Sequence, residues 1–367
     1  PEDIISQSVA KALYGAVSPY SATRLERFAA CAFAHFLQYG MKLTERVEYE
    51  FKPMDMGNVM HEALESFAEE VRKRGMKWTE LTEQERNEIA DRCLDNIVAD
   101  YGNTVLKSSA RNEYMIERTR RILRRTVWAL QKQLEQGEFQ PEGFEVTFGG
   151  GRIDRVDIME DQNKVYVKVI DYKTGNTSFD LVYLYHGLQL QLMIYLDGAL
   201  RVEQKKYPDK EIIPAGVFYY NIKDPMIQEK IDADVEAVSA GLMKELKMNG
   251  LVQADPELVY RMDSSLGSIP VAFNKDGSFR KNSSVADRTQ FAVLGRYVRT
   301  KIEKIRSSIL EGDAEVSPYE LGKKNACTYC PYMTVCGFDR RLSGYEFRRL
   351  KNFSDEELWK AFDREAE

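Results

Sequence analysis

The 367-residue sequence contains no apolar run of about 18 residues or more, the length at which a segment reads as a membrane-crossing helix. Its opening stretch, PEDIISQSVA, has neither a basic region nor an apolar core and is no secretory signal. The chain starts at Pro1 rather than Met, which predicts a processed product or a segment of a longer polypeptide. Cysteine is sparse. Cys31, Cys93, Cys327, Cys330 and Cys336 make an odd set that disfavours a disulfide framework and predicts a reducing, cytoplasmic setting with a metal site. An excess of basic charge is missing too, and the net charge of −6 excludes a histone-like grip on nucleic acid.

What is present suffices for a soluble globular fold: 43% of the residues are hydrophobic, enough for one elaborated domain or about two ordinary ones. Two local basic stretches stand out. ERTRRILRR spaces Arg118, Arg121 and Arg125 at helical intervals beside Arg120 and Arg124, and DRRLSGYEFRRLK lies near the C-terminus. Each suits a solvated helix face or a phosphate contact.

The first third reads as helical. Ser21 can cap a helix running to Tyr39, with Leu25, Phe28, Ala32 and Phe36 at helical spacing and Cys31 inside it. A second helix, GNVMHEALESFAEEVRKRG, carries His61 near its start, and residues 82–135 continue as charged amphipathic helices. The period then changes to two. FEVTFGGGRIDRVDIME and KVYVKVIDYKTG read as two β-rich runs joined by EDQNK, an antiparallel hairpin.

A turn centred between Gln162 and Asn163 places Asp154 opposite Asp171. One face then carries Val156, Ile158, Val165, Val167 and Val169, with Asp154, Asp171 and Lys173 at its far end. The other carries Arg155, Asp157, Tyr166, Lys168 and Tyr172, and is expected to be wetter or covered differently. Opposed carboxylates about 5 Å apart repel unless a cation lies between them, and Mg²⁺ suits hard oxygen ligands of this kind. The bland alternative is a surface ion pair with Lys173. Downstream, LVYLYHGLQLQLMIYLDGAL reads as a helix with Gln191 and Tyr195 on one face, residues 215–222 as a strand, and residues 226–250 and 286–311 as helical. The stretch VAFNKDGSFRKNSS reads as a strand and polar turn, or a loop.

CTYCPYMTVC places three thiols in a C-x₂-C-x₅-C pattern, which points to a metal with a fourth ligand from Cys31 or Cys93. Structural zinc and a [4Fe-4S] cluster both fit the spacing.

Taken in order, GRIDRVD, VIDYKTG and GLQLQLMIY resemble the motifs of the RecB-type branch of the PD-(D/E)xK nuclease superfamily, and MGNVMHEALESF resembles that branch's G-x-x-x-H helix. The resemblance covers about Ser21 to Gly344. It implies an α/β (α+β) restriction-endonuclease-like core, a central mixed β-sheet flanked by helices. It implies metal ligands at His61, Asp154, Asp171 and the Tyr172 carbonyl, a catalytic Lys173, and supporting roles for Gln191 and Tyr195. Within the branch, the AddB subunits of AddAB helicase-nucleases carry one cysteine before the nuclease motifs and C-x₂-C-x₅-C after them. That pattern implies a [4Fe-4S] cluster on Cys31, Cys327, Cys330 and Cys336, stapling the two ends of the domain together, with Cys93 a buried helix thiol.

The organisation expected is a single nuclease domain over 1–367. Its parts are a helical region (20–136), a catalytic core (139–225), a mainly helical insertion (226–315) and a cysteine segment (316–345). The family implies Mg²⁺-dependent cleavage of DNA, on the 5′-ended strand, beside an AddA-like helicase-nuclease partner and without a membrane. Two rivals are a catalytically silent DNA-binding module with the same fold and a stand-alone exonuclease of the same branch.

Overall fold

The computed structural model describes residues 5–15, 20–44, 53–100, 110–149, 151–227 and 234–366. Its N-terminal helices are α1 (Gln7–Tyr14), α2 (Ala22–Ala30), α3 (Ala32–His35), α4 (Pro53–Lys73), α5 (Glu83–Asp100) and α6 (Ala110–Glu135). Ser21 caps α2 as its position suggests, its hydroxyl accepting from the Arg24 N–H. The helix expected to run on to Tyr39 is nevertheless broken. Cys31 is fully extended (φ −165°, ψ 117°), and the chain resumes as α3 and then a π-helical turn, Phe36–Gly40. Helical periodicity survives such a break because the apolar positions on both sides still face the core.

A six-stranded mixed sheet follows, in the order β1 (Gln140–Phe148), β2 (Gly151–Asp161), β3 (Lys164–Lys173), β4 (Glu211–Asn221), β5 (Asn249–Gln253) and β6 (Val285–Ala286). The pairs β1–β2, β2–β3 and β4–β5 are antiparallel, whereas β3–β4 and β5–β6 are parallel. The β2–β3 register is the one the turn arithmetic predicts, with Arg155 opposite Ile170 and Val156 opposite Val169. The run FEVTFGGGRIDRVDIME is two strands rather than one, because it folds back at its glycines and pairs Phe148 with Gly151.

Helices α7 (Leu181–Tyr185) and α8 (Gln191–Lys206) replace the single helix expected there. Gly187 sits between them at φ +77°, a conformation that ends a helix and suits glycine. Then come α9 (Val235–Glu245), α10 (Pro256–Met262) and α11 (Arg288–Glu311). The helical reading of 226–250 therefore holds only in part: 228–233 lie outside the described residues, and Asn249 and Gly250 open β5. The segment 226–315 is also not only helical, since it contributes β5 and β6 to the sheet. In VAFNKDGSFRKNSS, Phe273 and Phe279 form an isolated antiparallel bridge. The C-terminal part holds β7 (Tyr319–Leu321), β8 (Lys324–Asn325), α12 (Met333–Cys336), β9 (Arg348–Arg349) and α13 (Asp355–Ala366).

Helices cover both faces of the sheet. On one, Val156, Ile158, Val165, Val167 and Val169 pack with residues of α2, α8, α11 and α13. On the other, Met159, Tyr166, Ile170 and Tyr172 pack with α4, α5 and α6. The second face is thus not wet. Arg155, Asp157 and Lys168 are all buried there as an ion triad, with Arg155 Nε 2.6 Å and Lys168 Nζ 2.9 Å from Asp157. Two cations hold the Asp157 carboxyl below its usual range despite its burial. Alternating charge in a strand indicates water only where nothing overlies that face, and here three long helices do.

Candidate active site

The sheet carries its acids in a row across three strands. In β1–β2, Phe144 opposes Arg155 and Val146 opposes Ile153, so Glu145 lies directly across from Asp154. One step beyond the Arg155–Ile170 pair, Asp154 lies across from Asp171. The three carboxylates come together because strand register repeats the same level of the pleat from strand to strand. Glu145 itself has φ +50°, close to a bulge at Pro141–Gly143, and its side chain is only 6% exposed. Helix α4 delivers His61 to this row, its Nδ1 3.3 Å from Asp154 and 3.8 Å from Glu145. Burial alone would lower the His61 pKa, but the Asp154 and Glu145 carboxylates push it up to about 10.

Ligand atoms of His61, Glu145 and Asp154 all lie within 4.8 Å of one another, a grouping suited to a cation. Two of these three were expected. Glu145 was not, and the signal that reveals it is the glycine turn: folding the first β-run at its glycines sets Glu145 opposite Asp154, as folding the second sets Asp171 there. Asp154 also accepts the Tyr172 N–H at 2.7 Å, which fixes its rotamer and brings the Tyr172 backbone to the same place.

Asp171 is 1% exposed, and its Oδ2 pairs with the Lys173 ammonium, Nζ lying 2.6 Å away. Its pKa is raised to about 7, by burial first and by Asp154 second, with Lys173 opposing both. Lys173 also donates to Gln191 Oε1 at 2.7 Å, and Gln191 Nε2 donates to the Tyr195 hydroxyl at 2.9 Å. The same-face reading of Gln191 and Tyr195 therefore agrees with a direct contact. Burial pushes the Tyr195 hydroxyl up to about 12 and keeps it neutral.

At the other end of α2, Cys31, Cys327, Cys330 and Cys336 line one small hollow with Phe33, Ala34, Ala326, Met333 and Phe338. All are free thiols. Burial and the three neighbouring thiols push Cys327 up to about 11. The extended backbone at Cys31 turns its side chain out of the helical path and into this hollow. Cys93 lies elsewhere, buried on α5 in the opposite core. His35 is a core histidine accepting from Arg24 Nε at 3.2 Å, and His186 contacts the Lys351 carbonyl at 2.8 Å.

The basic stretches are largely occupied within the chain. Arg120 pairs with Asp91, Asp95 and Glu117, Arg124 with Asp91, and Arg121 with Asp224. Near the C-terminus Arg341 pairs with Asp339, Arg349 with Glu320, and Arg348 donates to the Ala29 carbonyl. Exposed pairs of this kind are weak, so both the solvated-face and the phosphate-contact readings of the two stretches stand. Among the described residues, no helix is long and apolar enough to cross a membrane.

Comparison with known proteins agrees with this geometry. The family model of the PD-(D/E)XK nuclease superfamily matches residues 19–337. Along its whole length the chain is 43% identical to the B-type subunit of an ATP-dependent helicase/deoxyribonuclease from Lachnoclostridium phytofermentans. It is 35% identical, over 99% of its length, to proteins of the same name from a Thermoanaerobacter species and from Clostridium acetobutylicum. It spans about a third of each: 33%, 34% and 33% in that order. Together with the mixed sheet, the acid row and the adjoining lysine, this match over most of its residues means that the chain belongs to the PD-(D/E)XK nuclease superfamily.

Proposed function

We propose that the chain is the nuclease region of an AddB-like subunit of a helicase-nuclease, and that it hydrolyses DNA phosphodiesters with Mg²⁺. The observation that carries this reading is the row Glu145–Asp154–Asp171 beside Lys173, with His61 against its first two members. The donor set fits a hard divalent cation: oxygens from Asp154, Asp171 and the Tyr172 carbonyl, an imidazole from His61, and Glu145 as an addition. When bound, such a cation supplies positive charge for the scissile phosphate and lowers the pKa of water.

The chain's own groups do the rest. Lys173 holds an ammonium at the edge of the acid row, where it orients a water nucleophile and offsets negative charge developing on phosphate. Gln191 accepts from that ammonium and is itself held by the Tyr195 hydroxyl. Asp154, tied to the Tyr172 N–H, keeps its second oxygen for a ligand.

We read Cys31, Cys327, Cys330 and Cys336 as ligands of a [4Fe-4S] cluster, supported by their meeting in one apolar hollow and by their spacing. Bound there, a cluster would tie the end of α2 to the C-terminal segment and close a very long loop. Assembly with an AddA-like ATPase belongs to the same reading, supported by the names of the relatives, and cleavage of the 5′-ended strand is carried only by the motif resemblance.

The test is incubation of end-labelled single-stranded DNA with the chain, with and without Mg²⁺. Cleavage that needs Mg²⁺ and vanishes in Asp171→Ala and Lys173→Ala, each still folded, is expected. Retained cleavage in both variants means that the site lies elsewhere. For the cluster, an anaerobic preparation should be brown with broad visible absorbance that bleaches on oxidation. A colourless protein with stoichiometric zinc refutes it.

A further inference from the structure

Helix α8 starts at Gln191 without a local cap, for Leu190 at its N-cap makes no side-chain hydrogen bond. The first N–H groups of a helix need acceptors from somewhere. They find one far away in sequence: Glu26 Oε1, on α2, accepts from the Leu190 N–H at 2.7 Å and from the Gln191 N–H at 2.9 Å. A carboxylate at a helix N-terminus is favourable in itself. A serine or aspartate at position 190 would satisfy the same groups locally. Here an acid is instead drawn in beside Asp171, and burial pushes Glu26 up to about 7.

What this contact holds is Gln191. Its side-chain amide has two fixed partners, Lys173 on the oxygen and Tyr195 on the nitrogen, so its orientation leaves no alternative that keeps both bonds. Anchoring the Gln191 backbone therefore anchors the acceptor that holds the Lys173 ammonium. On the other side, α2 is seated in the core through Leu25, Phe28 and Ala29 and runs directly into Cys31.

We propose that Glu26 is a positioning residue: through the start of α8 and Gln191 it sets the place of Lys173, and so makes α2 the strut between the cysteine hollow and the active site. This rests on the reading of Lys173 as the catalytic lysine. Glu26 touches neither DNA nor metal ligands in this scheme.

Two readouts on the complete polypeptide test it, one independent of activity. The first is acylation of Lys173 by an amine-reactive reagent, followed by peptide mass spectrometry. Glu26→Ala and Gln191→Ala are each expected to raise Lys173 labelling several-fold while other lysines keep their rates, and the double variant should go no further. The second is single-turnover cleavage of single-stranded DNA, where Glu26→Ala is expected to slow the reaction about tenfold or more at unchanged Mn²⁺ affinity, as loss of positioning does. In the Gln191→Ala background the same change should cost almost nothing, because both act through one lysine. A folded Glu26→Ala protein with wild-type labelling, or losses that add in full to those of Gln191→Ala, overturns the proposal. If Glu26→Ala does not fold, Glu26→Asp keeps the charge but withdraws the acceptor by one methylene, and wild-type labelling there overturns it equally. A wild-type chain that cuts nothing counts against the nuclease reading alone, and the labelling still decides the role of Glu26.

Discussion

Glu145→Gln separates a metal ligand from a structural acid, and its effects can be worked from the distances. Without metal, the Glu145 carboxylate lies within 4.8 Å of an Asp154 oxygen and 3.8 Å from the His61 imidazolium. At an effective dielectric of about 20 the repulsion is roughly 3 kcal/mol and the attraction about 4 kcal/mol, so they nearly cancel. The exposed Arg152 partner of Glu145 adds on the order of 0–1 kcal/mol. The near-isosteric amide is therefore expected to shift unfolding in urea with chelator by only about 1 kcal/mol. A divalent cation sees no such cancellation, because removing one anionic donor removes attraction alone. Mn²⁺ affinity, read by titration calorimetry or by the free-ion resonance signal, should fall about 10–100-fold, the range seen when groups around a metal are lost. The His61 pKa should drop from about 10 in the same variant. Unchanged Mn²⁺ affinity refutes the reasoning, and a large loss of stability in chelator makes Glu145 a structural residue.

Asp157→Ala strands two buried cations, Arg155 and Lys168, and should cost about 3–5 kcal/mol in urea unfolding; a loss below that range would mean water reaches the triad. Glu26, raised from 4.5 to about 7, keeps a proton in the native state that the unfolded chain has released. Its contribution therefore lowers stability as pH rises from about 4.5 to 7, by roughly 3 kcal/mol in all. Glu26→Gln should then match wild type in chemical unfolding at the acid end of that window and exceed it above the window; parallel curves at every pH would show that Glu26 is ordinarily solvated.

Much of the site was legible because its signals are local. The period-two run after Glu160 fixes the β2–β3 register from its turn alone, and with it the juxtaposition of Asp154 and Asp171. The interval between Gln191 and Tyr195 sets them on one helix face by geometry that no tertiary contact alters. The thiol pattern at Cys327, Cys330 and Cys336 is local in the same way, and the structure gathers all three with Cys31 in one hollow.

Other features depend on what lies opposite. Whether Arg155, Asp157 and Lys168 meet water is set by α4, α5 and α6 closing over that face, since a strand's alternation names its faces but not their cover. Glu145 joins the row only when β1 folds back on β2, Cys31 leaves its helix only where the C-terminal segment meets it, and Glu26 reaches α8 from 164 residues away. Sequence periodicity fixes the direction in which a side chain points. Which partner waits there is decided by the packing of distant segments, whose free energies are sums over many contacts that no short motif contains.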